Sequence, residues 1–173
     1  MRTARERKIT PAKHGDGARV SRKLPPFDES LAGRLLAARE ALIGPIRPVL
    51  REAGITEQQW RVLRVLIDKG GVDLTTLAAK ALLRPPSLTR ILRELTSRAL
   101  VERETDAVDA RRSIVRILPA GRRIVDTTTR ATLSMLDRYA AVFGSERIVR
   151  LRDELALLTE VVGPAGMEDL GDG

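Results

Sequence analysis

The sequence predicts a mainly α-helical protein with one small β-hairpin placed between helices. Three observations lead to this fold class. Apolar residues recur at steps of three and four through most of residues 31–162, which is the period of helices that bury one face. β-Branched residues gather in two short runs, 100–105 and 113–118. Four of the 173 residues are aromatic, so the core has to be built from aliphatic side chains, the usual filling of packed helices.

The first helical segment is predicted over residues 28–52. Asp28 or Ser30 can cap its start, because short polar side chains accept hydrogen bonds from the free amides of a first turn. Gly44 and Pro45 interrupt the apolar stripe, and we expect a kink or break there. The stripe consists of Leu31, Leu35, Ala38, Leu42, Ile46 and Val49.

Two shorter helices are predicted next, each with a start signal. Thr56 and Gln59 have the spacing of a capping box, and the helix behind them ends at Gly70-Gly71. Asp73 then caps a short helix whose apolar side chains face inward. These inward side chains are Leu74, Leu77, Ala78 and Ala81.

A further helix is predicted to begin at Pro85-Pro86-Ser87, since prolines fit a first turn whose amides are unpaired in any case. The predicted apolar face consists of Leu88, Ile91, Leu92, Leu95 and Ala99. The predicted outer face consists of Ser87, Thr89, Arg90, Arg93 and Ser97. The two β-branched runs that follow indicate a hairpin around a polar loop, residues 106–112.

Two helices complete the predicted fold. Pro119 and Gly121 open a long one, and Gly144-Ser145 breaks it, with Ser145 predicted to cap the last helix. The last helix carries apolar residues at alternating steps of three and four, close to the pattern of a coiled-coil seam. These residues are Ile148, Leu151, Leu155, Leu158 and Val162. Residues 164–173 are predicted to form a disordered tail.

Composition excludes several classes of function. The chain has no cysteine and one histidine, His14, which excludes disulfides, thiol chemistry and cysteine-ligated metals. Asp153 and Glu154 are adjacent carboxylates on a predicted helix, but neighbours in a helix diverge by about 100° and cannot easily share chemistry. We therefore predict no enzymatic activity, no cofactor and no metal site. No apolar run is long enough to span a bilayer, so we expect no membrane partner.

The net charge of +8 is concentrated near the N-terminus. Residues 1–26 hold eight basic and two acidic residues, and the rest of the chain is nearly balanced. We predict a basic, disordered tail over residues 1–27. The tail is either a solubilising extension or an arm that contacts the phosphates of a nucleic acid, the polyanionic partner that a basic chain favours.

Residues 73–118 combine two short helices, a turn and a β-hairpin, which is the order of a winged helix-turn-helix. Arginine on the second helix can bond guanine through two hydrogen bonds, and Arg111 at the hairpin tip, oriented by Asp109, can enter a minor groove. The alternatives are an ordinary surface helix and an RNA-binding protein, although the aromatic residues that stack on single strands are lacking. The predicted DNA-binding residues are Pro86, Ser87, Thr89, Arg90, Arg93, Asp109, Arg111 and Arg112.

The chain resembles the MarR family of regulators over residues 28–163. The matching stretches are ITEQQW (55–60), SLTRILREL (87–95), LVER (100–103) and DAR (109–111), with ILPAG (117–121) at the family spacing. Within the family it is similar to regulators of homoprotocatechuate (hydroxyphenylacetate) degradation, through LLAAREA (35–41), RP (47–48), TEQQWR (56–61) and RPPSLTRIL (84–92). Three positions depart from the family pattern: Leu118 replaces threonine, Ala99 replaces glycine and Val108 replaces arginine.

This resemblance implies a DNA-binding lobe over residues 55–118 and dimerisation helices over residues 28–52 and 119–163. It implies a homodimer that binds a palindromic operator in double-stranded DNA, represses transcription, and is released by a small aromatic carboxylic acid. The implied location is the cytoplasm, on the nucleoid. The alternative function is a ligand-independent, architectural DNA-binding protein that uses the basic tail.

In this family the ligand pocket lies between the dimerisation helices and the DNA-binding lobe. The candidate ligand-binding residues are therefore Arg39, Trp60 and Arg64. Arg39 can pair with a carboxylate and Trp60 can stack on an aromatic ring. The alternatives are that Trp60 is a core residue and that Arg39 pairs with Glu40 or with the partner subunit.

Overall fold

The computed structural model describes residues 23–105 and 113–163. The described chain belongs to two compact units, one ending at Glu40 and one beginning at Ala41. Most of the predicted N-terminal tail (residues 1–22), the predicted wing loop and the predicted C-terminal tail lie outside the described residues.

The first unit holds a 3₁₀ turn, Phe27–Glu29, and most of helix α1 (Leu31–Ile43). The backbone N–H of Gly33 donates to Oγ of Ser30 at 3.0 Å, so the predicted Ser30 cap is confirmed. The Ser30 hydroxyl donates in turn to the carbonyl of Phe27. A Cβ atom at position 33 would collide with that carbonyl, which explains why a glycine occupies the first turn of α1.

The second unit continues through a 3₁₀ turn, Gly44–Ile46, which confirms the interruption predicted at Gly44 and Pro45. Four helices follow this turn: α2 (Arg47–Glu52), α3 (Glu57–Lys69), α4 (Leu74–Lys80) and α5 (Pro85–Ser97). Helix α3 begins with the predicted capping box between Thr56 and Gln59. It ends at Gly70, whose positive φ of 72° suits a residue without a side chain.

The sheet of the second unit has three antiparallel strands, in the order β1 (Val72–Asp73), β3 (Ser113–Ile117) and β2 (Val101–Thr105). Strands β2 and β3 form the predicted hairpin, with Val101 opposite Ile117. Strand β1 was not predicted, because two residues are too few to show an alternating pattern. It pairs Val72 with Val115 and so attaches the start of α4 to the hairpin.

Two long helices, α6 (Pro119–Phe143) and α7 (Ser145–Val162), complete the described chain. The N-cap residue of α6 is Leu118, which provides no side-chain cap, as expected where leucine replaces threonine. The prediction that Ser145 caps α7 is wrong. Gly144 is the N-cap residue, and Ser145 is already the first residue of the helix. The start of α7 therefore has no side-chain cap hydrogen bond.

The core of the second unit is aliphatic, as predicted. Its fully buried large aliphatic side chains come from α2 to α5 and from the sheet: Leu50, Val62, Leu63, Leu66, Leu77, Ile91, Leu92, Leu95, Val101 and Val115. The prediction that Ala99 completes the apolar face of α5 is wrong, because α5 ends at Ser97 and Ala99 is exposed with a φ of +52°. Over the described ranges, every helix is too short or too polar to cross a membrane.

Candidate nucleic-acid interface

Helices α4 and α5 form a helix-turn-helix whose turn is tied to neighbouring elements. Asp73 caps α4, accepting from the backbone N–H of Thr76 at 2.9 Å. In the turn, Leu82 has a φ of +54°, and its carbonyl accepts from Nη1 of Arg61 on α3 at 3.3 Å. The turn that precedes α5 is therefore attached to α3 as well as to α4.

Helix α5 is amphipathic, with its apolar side in the core and its polar side in solvent. Pro85 and Pro86 occupy its first two positions and have no N–H to offer an anion. Thr89 is exposed, and its hydroxyl donates to the carbonyl of Pro85 at 3.1 Å. Ser87 is half-buried and so less outward than predicted. The start of this helix therefore offers polar side chains to a partner more than free backbone amides.

The two arginines of the outer face have different surroundings. Nη1 of Arg90 lies 3.0 Å from Oε1 of Glu94, one turn later on the same helix. Arg93 lines a shallow cleft of about 510 Å³ between α5 and β2, together with Arg103. No ion pair joins Arg93 or Arg103 to a carboxylate within the described ranges. The cleft is therefore a positively charged surface next to the predicted recognition helix.

Arg103 was not among the predicted DNA-binding residues. It lies on β2, two positions after the buried Val101, so strand alternation places it on the same side of the strand as a core residue. The strand leaves the core before it reaches Arg103, so the Arg103 side chain is exposed. Its Nη2 donates to Oγ of Ser113 on β3 at 3.2 Å. The hairpin is closed further by Arg116, whose Nε lies 3.1 Å from Oε2 of Glu104.

The wing residues Asp109, Arg111 and Arg112 lie outside the described residues. Their predicted contact with a minor groove therefore stays a prediction. The strands on both sides of the loop belong to the sheet, with Thr105 opposite Ser113 at the last described pair. The two strands that flank the loop thus belong to the same unit as α5.

The structure brings together two of the three candidate ligand residues. The guanidinium carbon of Arg64 lies 5.5 Å from the centroid of the Trp60 ring, the geometry of a cation–π contact. Nε1 of Trp60 donates to Oγ1 of Thr128 on α6 at 3.2 Å. Trp60 is half-buried, and it is therefore partly a core residue and partly available at the surface.

Arg39, the third candidate, belongs to the first unit. Its Nη1 lies 2.8 Å from Oε1 of Glu40, and both side chains are 45% exposed. Pairing with Glu40 is one of the two alternatives to ligand binding that the sequence left open for Arg39. Over the residues that the structure describes, no cluster of carboxylate, imidazole or thiol groups is arranged to hold a metal ion.

A model of the MarR family matches residues 53–112, which include α3, α4, α5 and β2. The HTH-type transcriptional regulator FarR of Neisseria gonorrhoeae is 36% identical over 127 residues, covering 73% of this chain and 87% of FarR. The homoprotocatechuate degradative operon repressor of Escherichia coli is 31% identical over 144 residues, 82% of this chain and 95% of the repressor. Among solved structures, NadR in complex with 4-hydroxyphenylacetate is 34% identical, with a TM-score of 0.72 over 80% of this chain and 99% of NadR.

Proposed function

Because the chain belongs to the MarR family of transcription regulators, we propose that it binds a palindromic DNA operator as a homodimer and releases it when a small aromatic acid binds. The observation that carries this proposal is the outer face of α5, where Thr89, Arg90 and Arg93 are exposed on a helix whose other face is fixed in the core. The chain's relatives are regulators and not enzymes, in agreement with the prediction from composition.

In the proposed complex, α5 lies in the major groove. Arg90 reads base edges there, because a guanidinium group matches the two acceptors of guanine. Arg93 and Arg103 hold backbone phosphates through the charged cleft that they share. Arg111 and Arg112 of the wing reach the adjacent minor groove.

The proposed dimer uses apolar surface on the last two helices. Leu136 of α6 and Leu151 and Leu155 of α7 are between 37% and 48% exposed in the single chain. A second copy of the chain would remove this surface from water, which is the main favourable contribution to association. A two-fold symmetric dimer presents two copies of α5, so its operator has two half-sites about 10 bp apart.

The proposed ligand site is centred on Trp60 and Arg64 of the second unit. Arg39 of the first unit is a separate candidate for binding a carboxylate. The indole ring is fixed by its hydrogen bond to Thr128, so it offers a rigid face to an aromatic ring. Arg64 supplies the positive charge for a carboxylate. The similarity to the homoprotocatechuate repressor and to NadR supports a hydroxyphenylacetate-like compound. Such a ligand releases DNA by binding more tightly to a conformation in which the two copies of α5 are misplaced.

A second candidate function is ligand-independent DNA binding through the basic tail. The observation that favours it is the balance of eight basic to two acidic residues in residues 1–26. One titration separates the two functions. Purified protein is titrated with its own upstream DNA, with and without 4-hydroxyphenylacetate, at two salt concentrations. Specific binding that the acid abolishes supports the ligand-responsive repressor. Binding that ignores the acid and weakens steeply with salt supports the second candidate.

A further inference from the structure

Both carboxylate oxygens of Glu94 on α5 are engaged, each by a different helix. Oε1 accepts a hydrogen bond from Nη1 of Arg90 at 3.0 Å, one turn earlier on α5. Oε2 accepts from Nε2 of Gln59 on α3 at 2.7 Å. One carboxylate therefore connects an outward-facing arginine of α5 to the first turn of α3.

Gln59 is itself held in place. Its Oε1 accepts from the backbone N–H of Thr56 at 3.0 Å, and its own backbone N–H donates to Oγ1 of Thr56 at 3.2 Å. The residue is only 4% exposed. Its carbonyl faces a donor and its NH₂ group faces a carboxylate, so these partners determine the orientation of the amide. Glu94 is thus anchored to a fixed point of the lobe.

Helix stability does not explain this arrangement. The side chains of Arg90 and Glu94 are 63% and 44% exposed, and exposed ion pairs stabilise proteins little. The arginine also precedes the glutamate, which is the less favourable order along a helix. What the bond to Gln59 adds is a fixed partner: the carboxylate is held still and favours one orientation of the Arg90 guanidinium, which uses only Nη1 in this contact.

We propose that Glu94 is a positioning residue for base reading, which holds Arg90 ready for its contact in the major groove. This inference rests on the proposed DNA binding. Holding the guanidinium beforehand reduces the entropy lost when it meets a base. The same carboxylate repels phosphates, so Glu94 weakens binding to all DNA while it strengthens the preference for the operator.

The test compares the wild type with Glu94→Gln on two duplexes: one from the chain's own upstream DNA, containing the site that footprinting protects, and a scrambled duplex of equal length. Glutamine can still accept from Gln59, but it turns an NH₂ group towards Arg90. We expect affinity for the scrambled duplex to rise, because a negative charge is removed. Preference for the operator should fall by about two- to fivefold, the factor that corresponds to the contribution of one exposed ion pair.

Two further variants separate positioning from charge and from folding. Gln59→Met removes the donor to Glu94 without adding a charge, although it also gives up the side-chain half of the capping box. It should therefore lose operator preference as Glu94→Gln does, but leave affinity for the scrambled duplex unchanged. Glu104→Gln is the matched control, since Glu104 is 51% exposed on β2 and pairs with Arg116 instead. It removes an equal charge and should strengthen binding to both duplexes alike. Thermal melting of each variant verifies the fold.

A readout without DNA tests the anchoring directly. In the free wild-type protein the NMR signal of the Arg90 Nε–H group should be resolved from those of mobile arginines. In Glu94→Gln its chemical shift should move to the value of a mobile arginine. In Glu104→Gln its chemical shift should stay unchanged. An unchanged signal in Glu94→Gln overturns the anchoring. Unchanged operator preference in Glu94→Gln overturns the inference and leaves the proposed function standing. A wild type that does not prefer its operator overturns both.

Discussion

The indole Nε1 of Trp60 donates a hydrogen bond to Oγ1 of Thr128 at 3.2 Å, across 68 positions of the chain. Thr128 is completely buried, and its hydroxyl also lies 3.0 Å from the carbonyls of Ile124 and Val125. The contact joins α3, which carries the candidate ligand residues Trp60 and Arg64, to the long helix α6. Trp60 is the one tryptophan of the chain, so its fluorescence reports on this contact without interference from another tryptophan.

Thr128→Val should destabilise the protein by about 1–2 kcal/mol, because it keeps the shape of the side chain but leaves the half-buried indole N–H without its partner. Urea unfolding followed by tryptophan fluorescence measures this change. Thr127→Val is the control, since Thr127 is exposed and bonds only its own helix. Equal midpoints for the two variants would show that the indole bond contributes nothing.

Arg64→Ala should weaken binding of 4-hydroxyphenylacetate by roughly tenfold or more, because a charge-assisted hydrogen bond to a carboxylate contributes about 1.5–3 kcal/mol. Quenching of Trp60 fluorescence measures the affinity, since Arg64 lies over that ring. Arg123→Ala removes an equal charge from an exposed position on α6 and should leave the affinity unchanged. If Arg64→Ala and Arg123→Ala bind 4-hydroxyphenylacetate with the same affinity, the ligand binds at another site.

Arg103→Ala should weaken binding to operator and scrambled duplexes by the same factor, because a phosphate contact carries no sequence information. Losing one phosphate contact should also reduce the slope of log affinity against log salt by about 0.9. Titrations at several salt concentrations measure both quantities, with Arg123→Ala again as the control. A loss confined to the operator would contradict the phosphate role and indicate that Arg103 reads bases.

Ala99→Gly should stabilise the protein by about 0.5–1 kcal/mol, because Ala99 has a φ of +52°, where a Cβ atom is strained. Ala79→Gly is the matched control: the same substitution at an exposed site within α4 should destabilise by about 0.5–1 kcal/mol. Urea midpoints of the two variants are compared with the wild type. Destabilisation by both would show that the strain at Ala99 is negligible.

Leu155→Glu should convert the proposed dimer into monomers, because it places a charge within the apolar surface of α7. Sedimentation measures the mass, and the operator titration should show a parallel loss of affinity. Leu82→Glu is the control for the mass alone, since Leu82 is exposed in the turn between α4 and α5, beside the proposed DNA contact. A dimeric Leu155→Glu protein would place the interface on other surfaces.

The elements that the sequence predicts correctly are those with a local signal. The capping box of Thr56 and Gln59, the prolines that open α5 and the break at Gly44 all act within a few residues, and each is found in the structure. The aliphatic face of α5 follows from helical spacing in the same way, apart from Ala99. The outer face of α5, and with it most of the described site, was therefore predictable.

What the sequence does not predict depends on contacts between distant segments. The bond between Gln59 and Glu94 joins residues 35 positions apart, and neither residue alone indicates the other. Strand β1 exists because β3 pairs with it, not because Val72 and Asp73 have a strand pattern. Arg103 lies where strand alternation would place a buried residue, so its exposure follows from where the sheet ends.

The apolar surface of α7 and the outer face of α5 belong to different segments of the chain, so damage to one leaves the other intact. A genetic consequence follows if two copies act together. A cell that expresses the wild-type protein together with the double variant Arg90→Ala/Arg93→Ala would assemble mixed dimers. In each mixed dimer one copy of α5 keeps its two arginines and the other lacks them. The altered allele would then be dominant over the wild type, whereas an allele that disrupts α7 would be recessive.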